Sequence, residues 1–140
     1  MDLDALETSF DLVAPRGDEL MQLFYDRLFE AAPGVRPLFA GADMRRQRTM
    51  LLSALVLLRK SLRDLDAIVP TLKRMGARHL GYGAAPAHYA VVGEALIGAM
   101  AEVAGAAWEP RFEDAWGEAL AVVAGAMLEG AAEAELPVAA

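Results

Sequence analysis

The sequence predicts an all-α fold, and two observations carry that prediction. Apolar residues recur at three- and four-residue steps along six segments, the spacing that lines one face of a helix. Proline and glycine cluster between those segments, where a helix has to start or stop. The 140 residues read as one domain, 1–140, long enough to bury more than half of the surface its unfolded chain exposes.

The elements follow in order. Leu3, Leu6, Phe10 and Val13 form the first stripe, and Pro15-Arg16-Gly17 turns the chain. Asp18 is expected to cap a second helix reaching Ala32, with Leu20, Phe24 and Leu28 on one stripe and Met21, Tyr25 and Phe29 beside it. Pro33 ends it. Val35 to Phe39, with Pro37 inside, predicts a short helical turn, and Asp43 caps a third helix running to about Arg63 with Gln47, Leu51, Leu55 and Leu58 inward. Leu65, Ile68, Leu72 and Met75/Gly76 mark a fourth helix with Pro70 near its start or kinking it, and His79 is its next inward position. Gly81 and Gly83 interrupt, Pro86 suits the first turn of a fifth helix, and Tyr89, Val92, Leu96, Ala99 and Val103 continue inward. After Pro110 a last helix carries Phe112, Trp116, Leu120, Val123 and Met127, and the Ala-rich tail from about Ala131 is expected to fray.

Composition removes several functions. Without cysteine there is no disulfide, zinc–thiolate site, iron–sulfur cluster or cysteine nucleophile, so a metal would depend on His, Met, Tyr or carboxylate ligands. Thirteen basic against twenty acidic residues give net −7, which opposes attraction to nucleic acid or anionic lipid. The acidic start, Met-Asp-Leu-Asp-Ala-Leu-Glu, lacks the basic and apolar regions of a signal peptide, and no stretch reaches about 18 uninterrupted apolar residues. A cytoplasmic protein with no membrane or nucleic-acid partner is expected.

The chain has two histidines. His79 ends its helix, where an imidazole interacts favourably with the last carbonyls; the sharper alternative is metal ligation through Nε2 while Nδ1–H donates to a carbonyl near Met75. His88, beside Pro86 at a helix start, is expected to face solvent. Gln47 and Leu51 share one helix face; the glutamine is either exposed in the first turn or a polar group requiring a partner. A tyrosine such as Tyr25, on a helix bearing Phe24 and Phe29, is more often a core aromatic with its hydroxyl at the surface, and Phe39 reads as a core plug; the sharper alternative makes both the wall of a pocket.

Taken in order, Phe24-Tyr25, Arg36-Pro37-Leu38-Phe39, Gln47 with Leu51, Arg78-His79, His88-Tyr89 with Val92-Gly93, and Ala115-Trp116-Gly117 resemble the bacterial single-domain haemoglobins and the globin domain of flavohaemoglobins. The likeness runs from about Leu20 to Leu128. It implies a three-over-three globin sandwich and a b-type haem with His79 as proximal iron ligand. It also implies that Phe39 stacks on the porphyrin, that Tyr25 and Gln47 are the distal polar pair, and that Leu51 limits the distal volume. Tyr89 and Arg78 join the haem pocket, and Arg46, Arg48 and Arg78 are candidate partners for the propionates.

The implied function is reversible binding of dioxygen for transport or storage. Nitric oxide dioxygenation with a separate reductase, carbon monoxide as a further ligand, and a monomer or homodimer belong to the same expectation. The alternative is a haem-free, globin-like signalling or interaction module. In the family a tyrosine on the fifth helix and a glutamate on the last surround the proximal histidine. Tyr89 matches the first, but counting without gaps from Trp116 puts Ala131 at the second, with Glu129 and Glu133 facing elsewhere on the helix. That departure points away from peroxidase-like chemistry and toward reversible binding.

Overall fold

A computed structural model describes residues 1–135. Six α-helices carry the fold: α1 Leu3–Val13, α2 Gly17–Ala31, α3 Met44–Lys60, α4 Val69–Gly81, α5 Pro86–Ala104 and α6 Pro110–Glu135. Short 3₁₀ turns occupy Ala14–Arg16, Pro33–Phe39, Leu65–Ile68 and Gly105–Ala107, and no strand occurs among the described residues. Helices α1, α3 and α4 lie over α2, α5 and α6, the three-over-three arrangement expected; α4 packs mainly on α6, and α2 on α5.

The predicted boundaries hold where a cap or proline sets them. Asp43 accepts from the backbone N–H groups of Arg45 and Arg46 at 3.0 and 3.3 Å, satisfying donors that the first turn of α3 would leave unpaired. Pro70 falls in the first turn of α4 and Pro86 opens α5. Three expectations are corrected. Asp18 does not cap α2: Arg16 occupies that place, and Asp18 with Glu19 sits in the first turn, where negative charge complements the helix dipole. The third helix stops at Lys60 rather than near Arg63. The expected fraying from Ala131 is not seen through Glu135, because α6 continues to that point and Lys73 pairs with Glu133 at 2.9 Å; the rest of the tail lies outside the described residues.

The core joins α1, α2, α5 and α6. Trp116, Phe112, Leu6, Leu20, Met21 and Met100 are fully buried. Trp116 Nε1–H donates to Ser9 Oγ at 2.8 Å, and the Ser9 hydroxyl lies 2.6 Å from the Ala5 carbonyl, so the polar groups in this apolar centre are satisfied. Arg59 on α3 and Arg63 just beyond its end pair with Glu7, Asp11 and Asp4 of α1. Pairing with Arg63 and Arg59 holds the Glu7 and Asp11 carboxyls below the usual carboxylate range.

Pro86–Ala107 is long and apolar enough to cross a membrane by length and composition, although Glu94 and Glu102 interrupt its apolar run. Ala95, Leu96, Ala99, Met100 and Val103 of this helix are buried against the other helices.

The tightest feature of the fold is the crossing of α4 and α6. A β-carbon on Gly76 would fall on the Met127 carbonyl, and one on Gly130 would fall on the Lys73 carbonyl. Two glycines let the backbones of the two helices meet, and the pairing order, 76 with 127 and 73 with 130, is antiparallel.

Candidate functional site

His79 sits in the last turn of α4, partly buried. Its Nδ1 lies 2.6 Å from the Met75 carbonyl oxygen. A carbonyl only accepts, so Nδ1 carries the hydrogen and the neutral ring keeps its lone pair on Nε2. That is the tautomer a metal-binding histidine needs. Among the described residues no cluster of three or more His, Cys, Asp or Glu could hold a metal ion, so a metal here would rest on this nitrogen and on a cofactor's own ligands.

Opposite α4 stands α3, which packs on α2 and α1 but hardly touches α4. Burial along the helices divides sharply. On α3, Leu55 and Leu58 are buried, whereas Gln47 and Leu51 on the same stripe are partly exposed. On α5 burial begins at Ala95, while Tyr89, Val92 and Gly93 are partly exposed; on α6, Leu120 and Val123 are partly exposed between buried Ala119 and Met127. Inward-facing apolar side chains on three helices, Leu51, Tyr89, Val92, Leu120 and Val123, are thus only partly buried where they pack against the edge of the core. The donor set and this apolar lining fit a flat, largely apolar group bearing one open metal position.

Tyr25, on α2, is 8% exposed. Its ring meets Phe24 edge-on at 4.8 Å and Phe39 edge-on at 5.7 Å, and Phe29 closes the triangle at 5.9 Å from Tyr25 and 5.4 Å from Phe39. The hydroxyl makes no hydrogen bond to a protein group among the described residues, and burial pushes its pKa up to about 12, with the Arg48 charge acting in the opposite direction. Tyr25 is consequently a neutral donor at ordinary pH. Gln47 lies in the first turn of α3 with its backbone N–H on Asp43.

The structure brings Tyr25 and Phe39 together, and the Arg48 charge acts on Tyr25. Tyr89 is partly buried, with its hydroxyl pKa raised by that burial, but it makes no hydrogen bond to His79 among the described residues. Arg78 and Arg46 are exposed. His88 is partly buried rather than turned fully to solvent, and its Nδ1 accepts from the Ala85 N–H at 2.9 Å, closing the start of α5.

The position matched to the family's glutamate also moves. Because Gly130 rests on Lys73, Ala131 lies near a residue six positions before His79, about 9 Å back along α4. Glu129 and Glu133 do face elsewhere, both toward Lys73. The α6 residues nearer His79 in this order are Val123 and Ala124, and neither is acidic.

Two residues outside the expected site set adjoin it. Phe29 completes the aromatic triangle and carries the Arg36 guanidinium 5.0 Å above its ring; its place one turn after Tyr25 was the available signal. Tyr82 meets His79 edge-on at 6.0 Å, three residues later in sequence. A surface cavity of about 460 Å³ adjoins the triangle, lined by Phe29, Pro33, Arg36, Phe39 and Met44, but it does not reach His79.

The Globin family model matches residues 22–127. A flavohemoprotein of Bacillus subtilis (strain 168) is 29% identical over 128 residues, 90% of this chain and 32% of that protein. A flavohemoprotein of Bacillus anthracis is 32% identical over 133 residues, 94% of this chain and 33% of that one. The chain spans about a third of the length of these relatives. Among solved structures, an engineered carbene transferase from Rhodothermus marinus superposes with a TM-score of 0.83 at 27% identity, covering 94% of this chain and 91% of that one. A globin from Campylobacter jejuni gives 0.79 at 20% identity over 94% of each chain, a likeness of fold.

Proposed function

This chain belongs to the globin family, and from that premise we propose that it is a cytoplasmic b-type haem protein that binds dioxygen reversibly and, supplied with electrons, converts nitric oxide to nitrate. The observation that carries the proposal is the His79 Nδ1 contact with Met75 O at 2.6 Å, which leaves Nε2 as the basic nitrogen on the inner side of α4. Haem held by His79 would supply an iron able to bind a diatomic ligand.

The remaining roles belong to side chains of this protein. Phe39 and Leu51 would flank the haem as apolar walls. Arg46 and Arg78, both exposed at the ends of their helices, would meet its carboxylates. Tyr25 would donate its hydroxyl hydrogen to a ligand carrying partial negative charge; burial that keeps the phenol neutral also keeps that donor dry, where a hydrogen bond to a charged acceptor is worth about 1.5–3 kcal/mol. The Gln47 amide, on the facing helix, would act as a second donor.

With Ala131 at the position matched to the family's glutamate and no hydrogen bond from Tyr89 to His79 among the described residues, ligand binding is favoured over peroxide cleavage. An absorption spectrum of the purified protein tests the proposal. A Soret band that shifts reversibly with dioxygen and with carbon monoxide in the ferrous protein supports it. Protein that takes up no haemin on titration overturns it in favour of a haem-free interaction module.

A further inference from the structure

Charge along this chain is strongly segregated. Residues 31–93 hold ten of the thirteen Lys and Arg residues but three of the twenty acids. An acidic protein therefore carries a basic middle, and that middle contains the helices that form the candidate site. Three of these ten cations are committed: Arg59 and Arg63 to acids of α1, Lys73 to acids of α6. Arg36, Arg45, Arg46, Arg48, Arg74 and Arg78, together with Lys60, make no ion pair among the described residues.

Five of the six uncommitted arginines, all but Arg74, fall on segments near one another. Arg36 lies on the 3₁₀ turn, Arg45, Arg46 and Arg48 in the first turns of α3, and Arg78 at the end of α4. These segments are neighbours in space, because a β-carbon on Gly83 would lie 3.2 Å from Leu38 Cδ2, joining the turn after α4 to the turn before α3. The same rim exposes large apolar groups: Leu38 at 43%, Met50 at 54% and Tyr82 at 64%. Arginine mixed with exposed tyrosine, methionine and leucine is the composition of a protein-binding surface; a phosphate-tracking groove needs cations alone.

We propose that this rim, through Arg36, Leu38, Arg45 and Tyr82, docks the acidic surface of a one-electron donor protein. This rests on the haem reading above. One electron leaves the donor, which is oxidised, and the ferric cofactor is reduced to ferrous. Charge complementarity selects the partner, since the acidic remainder of the chain, with three basic and seventeen acidic residues outside 31–93, repels an acidic protein from every other face.

Reduction of the haemin-loaded ferric protein by chemically reduced flavodoxin, an acidic flavin protein used as the probe, is followed by stopped flow at low and high salt. The expected second-order rate constant falls steeply with salt, and Arg36→Glu/Arg45→Glu lowers it by about tenfold or more at low salt. Arg36→Gln/Arg45→Gln lowers it less. Lys60→Glu, about 20 Å farther along α3, leaves it within twofold, and reduction by free reduced riboflavin is unchanged in every variant. A rate indifferent to the Arg36/Arg45 substitutions, or equally reduced by Lys60→Glu, overturns the docking face. So does a DNA duplex that binds the wild-type rim and displaces flavodoxin at comparable concentration. If the protein takes up no haemin the haem reading fails instead, and calorimetric titration of flavodoxin into the haem-free protein and its variants still decides the docking face.

Discussion

Gly130→Ala should destabilise the protein while Gly125→Ala, five residues away on the same helix, should stabilise it. Both replacements exchange glycine for the best helix former, worth about 0.8–1 kcal/mol in a helix interior. Gly125 has nothing within 4 Å of the added carbon and keeps that gain. At Gly130 the carbon would land on the Lys73 carbonyl, which belongs to another helix and cannot swing aside as a side chain can. To restore an ordinary contact α6 has to withdraw from α4 by more than an ångström. Overpacking of this kind costs about 1–3 kcal/mol, and a backbone neighbour puts this case at the upper end, for a net loss of about 1–2 kcal/mol. The two variants should therefore differ by about 2–3 kcal/mol. At a urea slope of about 1–3 kcal/mol/M for a small protein, their unfolding midpoints separate by about 1 M, with wild type between them. Gly76→Ala, the reciprocal site, should behave like Gly130→Ala, and the double variant should lose less than the summed effects because one substitution already parts the helices. Equal midpoints for Gly130→Ala and Gly125→Ala would refute the close crossing that seats α4.

Three further outcomes are expected. Ser9→Ala leaves the fully buried Trp116 indole N–H without its acceptor and should cost about 1–3 kcal/mol in chemical denaturation; an unchanged midpoint would mean the indole finds another partner. Tyr25 is raised to about 12 in the folded protein, so its contribution is intact below the unfolded value near 10 and is lost as pH rises from about 10 to 12; Tyr25→Phe should flatten the decline in stability over that window, and an unchanged slope would contradict burial of the phenol. Tyr25→Phe and Gln47→Leu should each speed oxygen dissociation by about tenfold, equivalent to about 1.4 kcal/mol, with little change for carbon monoxide; oxygen release unaffected in stopped flow would remove both from the ligand's surroundings.

Much of the fold was legible because its punctuation is local. Asp43, Pro86 and Pro110 set helix starts through capping and proline geometry, which involve only neighbouring residues. The Asp18 error has a simple cause: Gly17 is already helical, so the acid falls one position inside the helix it was expected to cap. At the site, the His79–Met75 contact follows from four-residue helical spacing, and Tyr25 with Phe39 from the order of the motif. Helix crossings were not legible. Gly76 and Gly130 look like ordinary small residues until α4 and α6 are laid across each other, and an ungapped count to Ala131 cannot reveal that Gly130 meets Lys73 instead of His79. The basic rim escaped notice for a related reason, because a net charge of −7 conceals its own distribution.

The central claim, that His79 holds the iron of a bound haem, is tested most directly by titrating haemin into His79→Ala and His88→Ala beside wild type. The account predicts that His79→Ala loses stable haem and its five-coordinate ferrous spectrum, that added imidazole restores part of it, and that His88→Ala binds as wild type does. A normal spectrum in His79→Ala together with its loss in His88→Ala would contradict the assignment outright.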